Sequence, residues 1–223
     1  MVKEFKGIDT GVKKVYSRLS IIYGIFEKFF EKDLRKKALE LLKIRRGDVV
    51  LDVGFGTGYE LVEIARFVGD EGMVYGMDIA PQRVLKAESR VEKANFAERV
   101  FLSSGDARKL KFDDEMFDVV YISEVLEIFD AMDIKKIMDE IERVLKPGGK
   151  ICVVDSVDDY GRVIDFYDWL SKHFPNHTRD LLDIKYILKQ AGYQNVKYEE
   201  RKIFRIFPMG IGVGVSGKVE GLV

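Results

Sequence analysis

The run Val50 to Gly58, VLDVGFGTG, places three glycines at alternate positions, Gly54, Gly56 and Gly58, directly after a short apolar stretch. Glycine tolerates positive φ and lets a ligand approach the backbone closely. A buried strand that ends in such a turn and feeds a helix is a nucleotide-binding corner. The dinucleotide fingerprint G-x-G-x-x-G needs its last glycine at position 59, which is Tyr59 here, so a pyrophosphate loop is disfavoured. Three further segments end in groups that can bind. Asp78-Ile79 lies 24 residues beyond Gly54, Gly105-Asp106-Ala107 follows, and Ser123-Glu124 comes last. A carboxylate at Asp78 can accept hydrogen bonds from both hydroxyls of a ribose. Asp106 can accept from an adenine amino group. Ile79 and Ala107 can wall the ring or simply pack in the core. Asp52 sits among apolar residues, and an aspartate rarely stays buried without a partner. It either holds N–H groups of the glycine loop or takes a ligand's amino group.

Proton transfer near neutral pH is a histidine property. The only two histidines, His173 and His177, fall in KHFPNHTRD, where each can be a base or a surface residue, and Arg179 beside them can pair with an acidic group. The single cysteine, Cys152, lies in the apolar run ICVV and reads as core. One cysteine excludes an intrachain disulfide and a cysteine-rich zinc site, and no metal site is expected.

These groups must be brought together by a sheet. Apolar residues at helical spacing predict helices over 12–43, with a break near Gly24, and over 59–68. A further helix begins near Pro81, with Val84, Ala87, Val91 and Ala94 inward, and another spans 131–145, with Asp130 as its cap. Strands are predicted at 49–53, 73–77, 99–102, 117–122 and 150–155, the last after the helix stop Pro147-Gly148-Gly149. Strand and helix alternate, which specifies parallel strands with crossover helices in one doubly wound sheet. A last helix over 180–191 precedes two strands, about 194–201 and 203–214, too close together to pair other than antiparallel. Gly210, Gly212 and Gly214 alternate with apolar residues in the second of these. They permit close packing or ligand approach, weaken an edge, or form part of a homodimer contact. Residues 158–178 form an aromatic-rich insert that either walls an apolar acceptor or packs on the N-terminal helices.

The 223 residues are 47% hydrophobic and 34% charged, with a formal charge of -1. That is an ordinary globular composition without a nucleic-acid footprint. The opening MVKEFKGIDTG has no long apolar stretch of the secretory type, and no apolar run reaches spanning length, so a cytoplasmic location is expected, with at most peripheral membrane contact.

In order, VLDVGFGTG, GMDIA (76–80), GDA (105–107), FDVVYISEVLE (117–127) and VLKPGGK (144–150) resemble class I S-adenosylmethionine-dependent methyltransferases. The likeness covers about 45–215 and is nearer to the menaquinone/ubiquinone-biosynthesis type and its small-molecule and phospholipid relatives. It implies an α/β Rossmann-like three-layer fold with seven strands in order 3-2-1-4-5-7-6, strand 7 antiparallel. It also implies a helical cap over 1–44 on a main domain of 45–223. The implied cofactor is S-adenosyl-L-methionine. Gly54, Gly56, Thr57 and Gly58 would lie against its methionine portion, Asp78 would hold its ribose, and Ile79 would flank adenine. Asp106 and Ala107 would sit at the adenine amino group, Ser123 and Glu124 near the methyl group, and Tyr16 and Tyr23 in the cover. Phe55 departs from the small residue usual there; it packs in the loop or shapes the pocket. The implied reaction is methyl transfer to a small acceptor, apolar or isoprenoid/lipid-like, with His177, His173 or Glu124 in the acid–base role. Two alternatives stand beside it: an NAD-dependent oxidoreductase, and a catalytically silent binding scaffold of the same fold.

Overall fold

The computed structural model describes residues 34–156, 183–203 and 207–218. Most of the expected cap, up to residue 33, and the insert at 158–178 lie outside the described residues. The chain divides into two compact units, Met1–Lys37 and Ala38–Val223, and the second carries the sheet.

Residues 34–42 are helical (α1). Its Ala38, Leu39 and Leu42, at helical spacing, are buried. Lys150 Nζ donates to the carbonyls of Leu42 and Lys43 at 3.2 and 2.9 Å, which satisfies acceptors that a helix end leaves open.

β1 (Val49–Val53) is almost wholly apolar and buried, as a strand covered on both faces must be. It pairs in parallel with β2 (Met73–Asp78) on one side and β4 (Phe117–Ser123) on the other. β3 (Val100–Ser104) continues the sheet beyond β2, and β5 (Leu145–Ser156) continues it beyond β4, both parallel. β7 (Phe207–Val215) runs antiparallel to β5 and to β6 (Gln194–Ile203). The order is β3-β2-β1-β4-β5-β7-β6, the one expected. Order reverses between β1 and β4, so a crevice must open at their carboxyl ends.

The crossover helices are α2 (Tyr59–Val68), α3 (Pro81–Lys93) and α4 (Ala131–Val144). Each buries one stripe. In α4 it is Ile134, Ile137, Met138, Ile141 and Val144. Ile137 and Ile141 are fully buried against Val120, Ile122, Ile151 and Val153 of the sheet, in one core cluster. Burial of each such side chain is worth about 1.5–3 kcal/mol. The Asp130 carboxylate caps α4 by accepting from the Asp133 N–H at 2.9 Å.

Two sequence expectations are corrected at the second half of the sheet. Pro147-Gly148-Gly149 was expected to separate helix from strand, but β5 already starts at Leu145. Its register slips between the Phe117–Leu145 and Val119–Lys150 pairs, so these residues bulge within the strand. The glycine-rich strand is not an edge, because β7 lies between β5 and β6. A Cβ at Gly212 would stand 2.4 Å from Ile184 Cγ2, and one at Gly214 would stand 2.8 Å from Tyr193 Cβ. The bare face therefore admits α5 (Ile184–Gln190), which Asp183 caps by accepting from the Tyr186 N–H at 2.8 Å. Residues 180–182 of the expected last helix lie outside the described residues.

Candidate active site

A cleft of about 100 Å³ opens where β1, β2 and β4 end. Gly54, Asp78, Ile79, Ala107 and Glu124, drawn from four separate segments of sequence, line it together.

The three loop glycines serve different ends. All have positive φ: 76° at Gly54, 56° at Gly56 and 79° at Gly58. A Cβ at Gly54 would overlap Val125 Cγ2 at 2.2 Å, and one at Gly58 would stand 2.7 Å from Ala87 Cβ. These two glycines let the post-β4 loop and α3 come close. Only at Gly56 would a Cβ meet nothing within 4 Å. Gly56 is thus the loop glycine with open space beside it, while Gly54 is the one that lines the cleft. Phe55 is buried, and its Cδ1 would be 2.7 Å from a Cβ on Gly76, so it packs inward over β2. The Thr57 carbonyl accepts from the Arg90 guanidinium, which also lies 3.4 Å above the centre of the Tyr59 ring.

Asp78 is 2% exposed. Its Oδ2 accepts from the Gly56 N–H at 3.0 Å, and its Oδ1 accepts from the Ala80 N–H at 2.8 Å. Arg83, in the first turn of α3, brings its guanidinium to 3.6 Å from Oδ2 and lines the cleft. The loop-holding part considered for Asp52 is therefore filled at Gly56 by Asp78. Each carboxylate oxygen has two lone-pair directions, so Asp78 can hold the loop and still accept from ligand hydroxyls.

Asp52 is buried but does not line the cleft. It pairs in register with Gly76 of β2 and Tyr121 of β4, and Tyr121 pairs with Cys152 of β5. Burial, helped by the nearby charges of Glu60 and Asp52, pushes the Tyr121 hydroxyl well above its ordinary value. Burial alone pushes the Cys152 thiol up. Both side chains stay neutral, and a buried neutral thiol is inert. This agrees with the core reading of Cys152.

Asp106 stands between two cleft-lining residues, Gly105 and Ala107, but its carboxylate is engaged by Arg108. That guanidinium holds the Asp106 carboxyl below the usual range. Ile79, 63% exposed, and Ile128, 68% exposed, give the cleft an apolar rim.

The acidic group at the end of β4 is Glu124, with φ 54°, a backbone conformation unusual for a side chain with a Cβ. Two contacts hold the loop in place. The Glu124 N–H donates to the Val154 carbonyl at 2.8 Å. The fully buried Asp155 accepts from the N–H groups of Leu126 and Glu127 at 3.0 and 3.3 Å. Ser123 is the half-buried last residue of β4 and does not line the cleft.

Arg83, Val125 and Phe129 line the cleft and were not singled out from sequence; neither was Asp155 behind it. Arg83 had a readable signal, being five residues after Asp78 in a helix opened by Pro81. The others depend on a loop path that no local pattern encodes. Tyr16, Tyr23, His173, His177 and Arg179 lie outside the described residues. Among the described residues, no group of three His, Cys, Asp or Glu could hold a metal ion. No described helix is long and apolar enough to cross a membrane.

A family model described as a methyltransferase domain matches residues 50–149. A demethylmenaquinone methyltransferase of Lactobacillus johnsonii is 31% identical over 184 residues, covering 73% of this chain and 74% of that one. One from Listeria monocytogenes is 32% identical over 217 residues, covering 84% and 89%. Among solved structures, a SAM-dependent methyltransferase from Aquifex aeolicus superimposes with a TM-score of 0.60 at 21% identity, covering 81% of this chain and 89% of that one. A geranyl diphosphate C-methyltransferase from Streptomyces coelicolor gives 0.69 at 14% identity, covering 83% and 79%. Both of these share the fold.

Proposed function

The chain belongs to the class I S-adenosylmethionine-dependent methyltransferases, related to the demethylmenaquinone enzymes, and on that premise we propose that its acceptor is a small apolar ring compound of the prenylated quinol class, methylated at a ring carbon. It is an enzyme that uses S-adenosylmethionine, which removes the oxidoreductase reading.

The residues present fit that cofactor. The glycine loop, with Gly54 in the cleft lining and open space at Gly56, would take the amino-acid tail, with Thr57 and Gly58 holding the loop's path. The buried Asp78 takes the ribose hydroxyls. Ile79, Ala107 and Phe129 flank the adenine, and Asp106 takes its amino group.

When bound, S-adenosylmethionine supplies a methyl group already activated by its sulfonium. The protein must then align the acceptor and keep water out. Val125 and Phe129 bring apolar surface to the cleft wall. Glu124 lines the cleft, where it can take a hydroxyl proton and so raise the electron density of an aromatic ring, and Ser123, which precedes it, is proposed near the methyl group. His177, with His173 beside it in sequence, is the proposed second base.

The observation that carries this acceptor class is the apolar surface of Val125 and Ile128 in the cleft lining, beside an acidic group, Glu124. Similarity to demethylmenaquinone methyltransferases over about four fifths of the chain supports it. The test offers the full-length protein labelled S-adenosylmethionine with a 2-prenyl-1,4-naphthoquinol in detergent micelles, kept reduced. Label is expected at the ring carbon next to the prenyl group. Transfer to water-soluble amines or hydroxy compounds from a host extract, with none to the quinol, would reject the acceptor class.

A further inference from the structure

We infer that Arg108 is a positioning residue for adenine recognition, a clamp that fixes the Asp106 carboxylate and ties together the two loops that wall the adenine slot. The inference rests on the proposed contact between Asp106 and the adenine amino group.

Arg108 uses every face of its guanidinium. Its Nε lies 3.0 and 3.1 Å from the two Asp106 carboxylate oxygens, and its Nη2 lies 2.6 Å from Oδ2. Its backbone N–H donates to Oδ1 at 2.9 Å. Its Nη1 reaches across to Asp133 Oδ2 at 2.7 Å, in the first turn of α4. Lys136 Nζ holds the other oxygen of Asp133 at 2.8 Å. The guanidinium carbon also lies 5.6 Å from the centre of the Phe129 ring.

Both of the segments that Arg108 touches border the cleft. Ala107 comes from the segment after β3 and Phe129 from the segment after β4, and both line it. Nothing in the backbone ladder joins these segments, because β3 and β4 are separated in the sheet by β2 and β1. Arg108 spans them with one side chain. A fork of five donors in one plane is needed to hold both oxygens of one carboxylate and an oxygen of another, which a lysine cannot do.

The clamp's value is geometric. The Arg108 side chain is 39% exposed, and ion pairs at such exposure add little to stability. What it does fix is the plane of the Asp106 carboxylate. The Asp106 side chain, held on the Arg108 side, stays 37% exposed, and its sequence neighbours Gly105 and Ala107 line the cleft. An amino group donating to that carboxylate is favoured. A carbonyl oxygen in its place would face a negative charge.

The test is discrimination between adenine and hypoxanthine. Full-length protein is titrated calorimetrically with S-adenosylhomocysteine and with S-inosylhomocysteine, which carries an oxygen in place of the amino group. Wild-type protein should prefer the adenine compound by about tenfold or more, the size of one charge-assisted hydrogen bond. Asp106→Ala should abolish the preference. Arg108→Met should remove most of it, while its affinity for S-inosylhomocysteine changes by less than about threefold.

If Arg108→Met keeps the preference that Asp106→Ala loses, the clamp is wrong and the Asp106 contact stands. If Arg108→Met weakens both compounds equally, Arg108 is merely structural and the inference is overturned. If Asp106→Ala keeps the preference, or wild type shows none, the adenine contact fails and the clamp with it. Should Arg108→Met not fold, Asp133→Ala removes the far anchor, together with its Lys136 pair, and leaves the Asp106 contacts in place. A preference reduced about threefold supports the clamp, and an unchanged one overturns it.

Discussion

Asp78 is a carboxylate with its hands partly full. Two backbone N–H groups and the Arg83 guanidinium already sit on its oxygens. The proposed ribose contact therefore adds to a pre-set orientation, so the carboxylate needs no reordering when ligand arrives. Two consequences separate by substitution. Asp78→Ala should raise the dissociation constant for S-adenosylmethionine at least about tenfold, and it should also loosen the loop by orphaning the Gly56 N–H. Asp78→Asn keeps an acceptor for Gly56 and should fall between. Calorimetric titration measures both, and an unchanged constant in the alanine variant removes Asp78 from the ligand contact. The same scale explains Cys152. Its thiol is buried in β5 beside Tyr121 and held neutral, so a thiol reagent should label it only as fast as the protein unfolds.

At the scale of elements, the glycines of β7 set how near α5 can lie to the sheet. Gly212 faces Ile184 and Leu188, and Gly214 faces Tyr193. A methyl group there has no room, because it would meet Ile184 Cγ2 or Tyr193 Cβ, atoms tied closely to the backbone. Gly212→Ala should cost about 1–3 kcal/mol through overpacking. For a unit of this size that lowers the melting temperature by roughly 2–4 °C per kcal/mol. A melting temperature that does not move would mean that α5 does not rest on β7. The cofactor constant should be unaffected, because the cleft lies at β1, β2 and β4.

At the scale of the whole molecule, the segment between β3 and β4 is fastened to α4 by a second set of charges. Arg143 donates to the carbonyls of Leu110 and Phe112 at 2.9 Å and to Glu140 and Asp114. Glu140 in turn accepts from the Leu110 N–H at 2.7 Å. The hydrogen bonds from Arg143 hold the Glu140 carboxyl below its ordinary value of 4.5. A carboxyl depressed in the folded state contributes stability that is complete above its unfolded value and is lost as pH falls through the folded one. Urea midpoints taken below about pH 4.3 should therefore fall with pH, and Glu140→Gln should flatten that fall. An identical acid limb in the variant would show that this fastening contributes nothing to acid sensitivity.

What the sequence alone determined was periodic or local. Helix stripes such as Ile134, Ile137, Met138 and Ile141, the buried strand at 49–53 and the impossibility of parallel pairing in the late hairpin follow from short-range geometry, and they specify a doubly wound sheet with a late antiparallel hairpin, whose strand order the family resemblance supplied. The glycine turn and Asp78 were legible because strand ends in such a sheet converge on one edge. Tertiary structure alone decided which partner each group takes. Three glycines with one spacing face Val125, open space and Ala87. Asp78 rather than Asp52 holds Gly56, and Arg108 reaches Asp133 in α4. Such pairings join segments tens of residues apart through side chains, and a side chain's partner is set by the packing of the whole unit, which no local spacing contains.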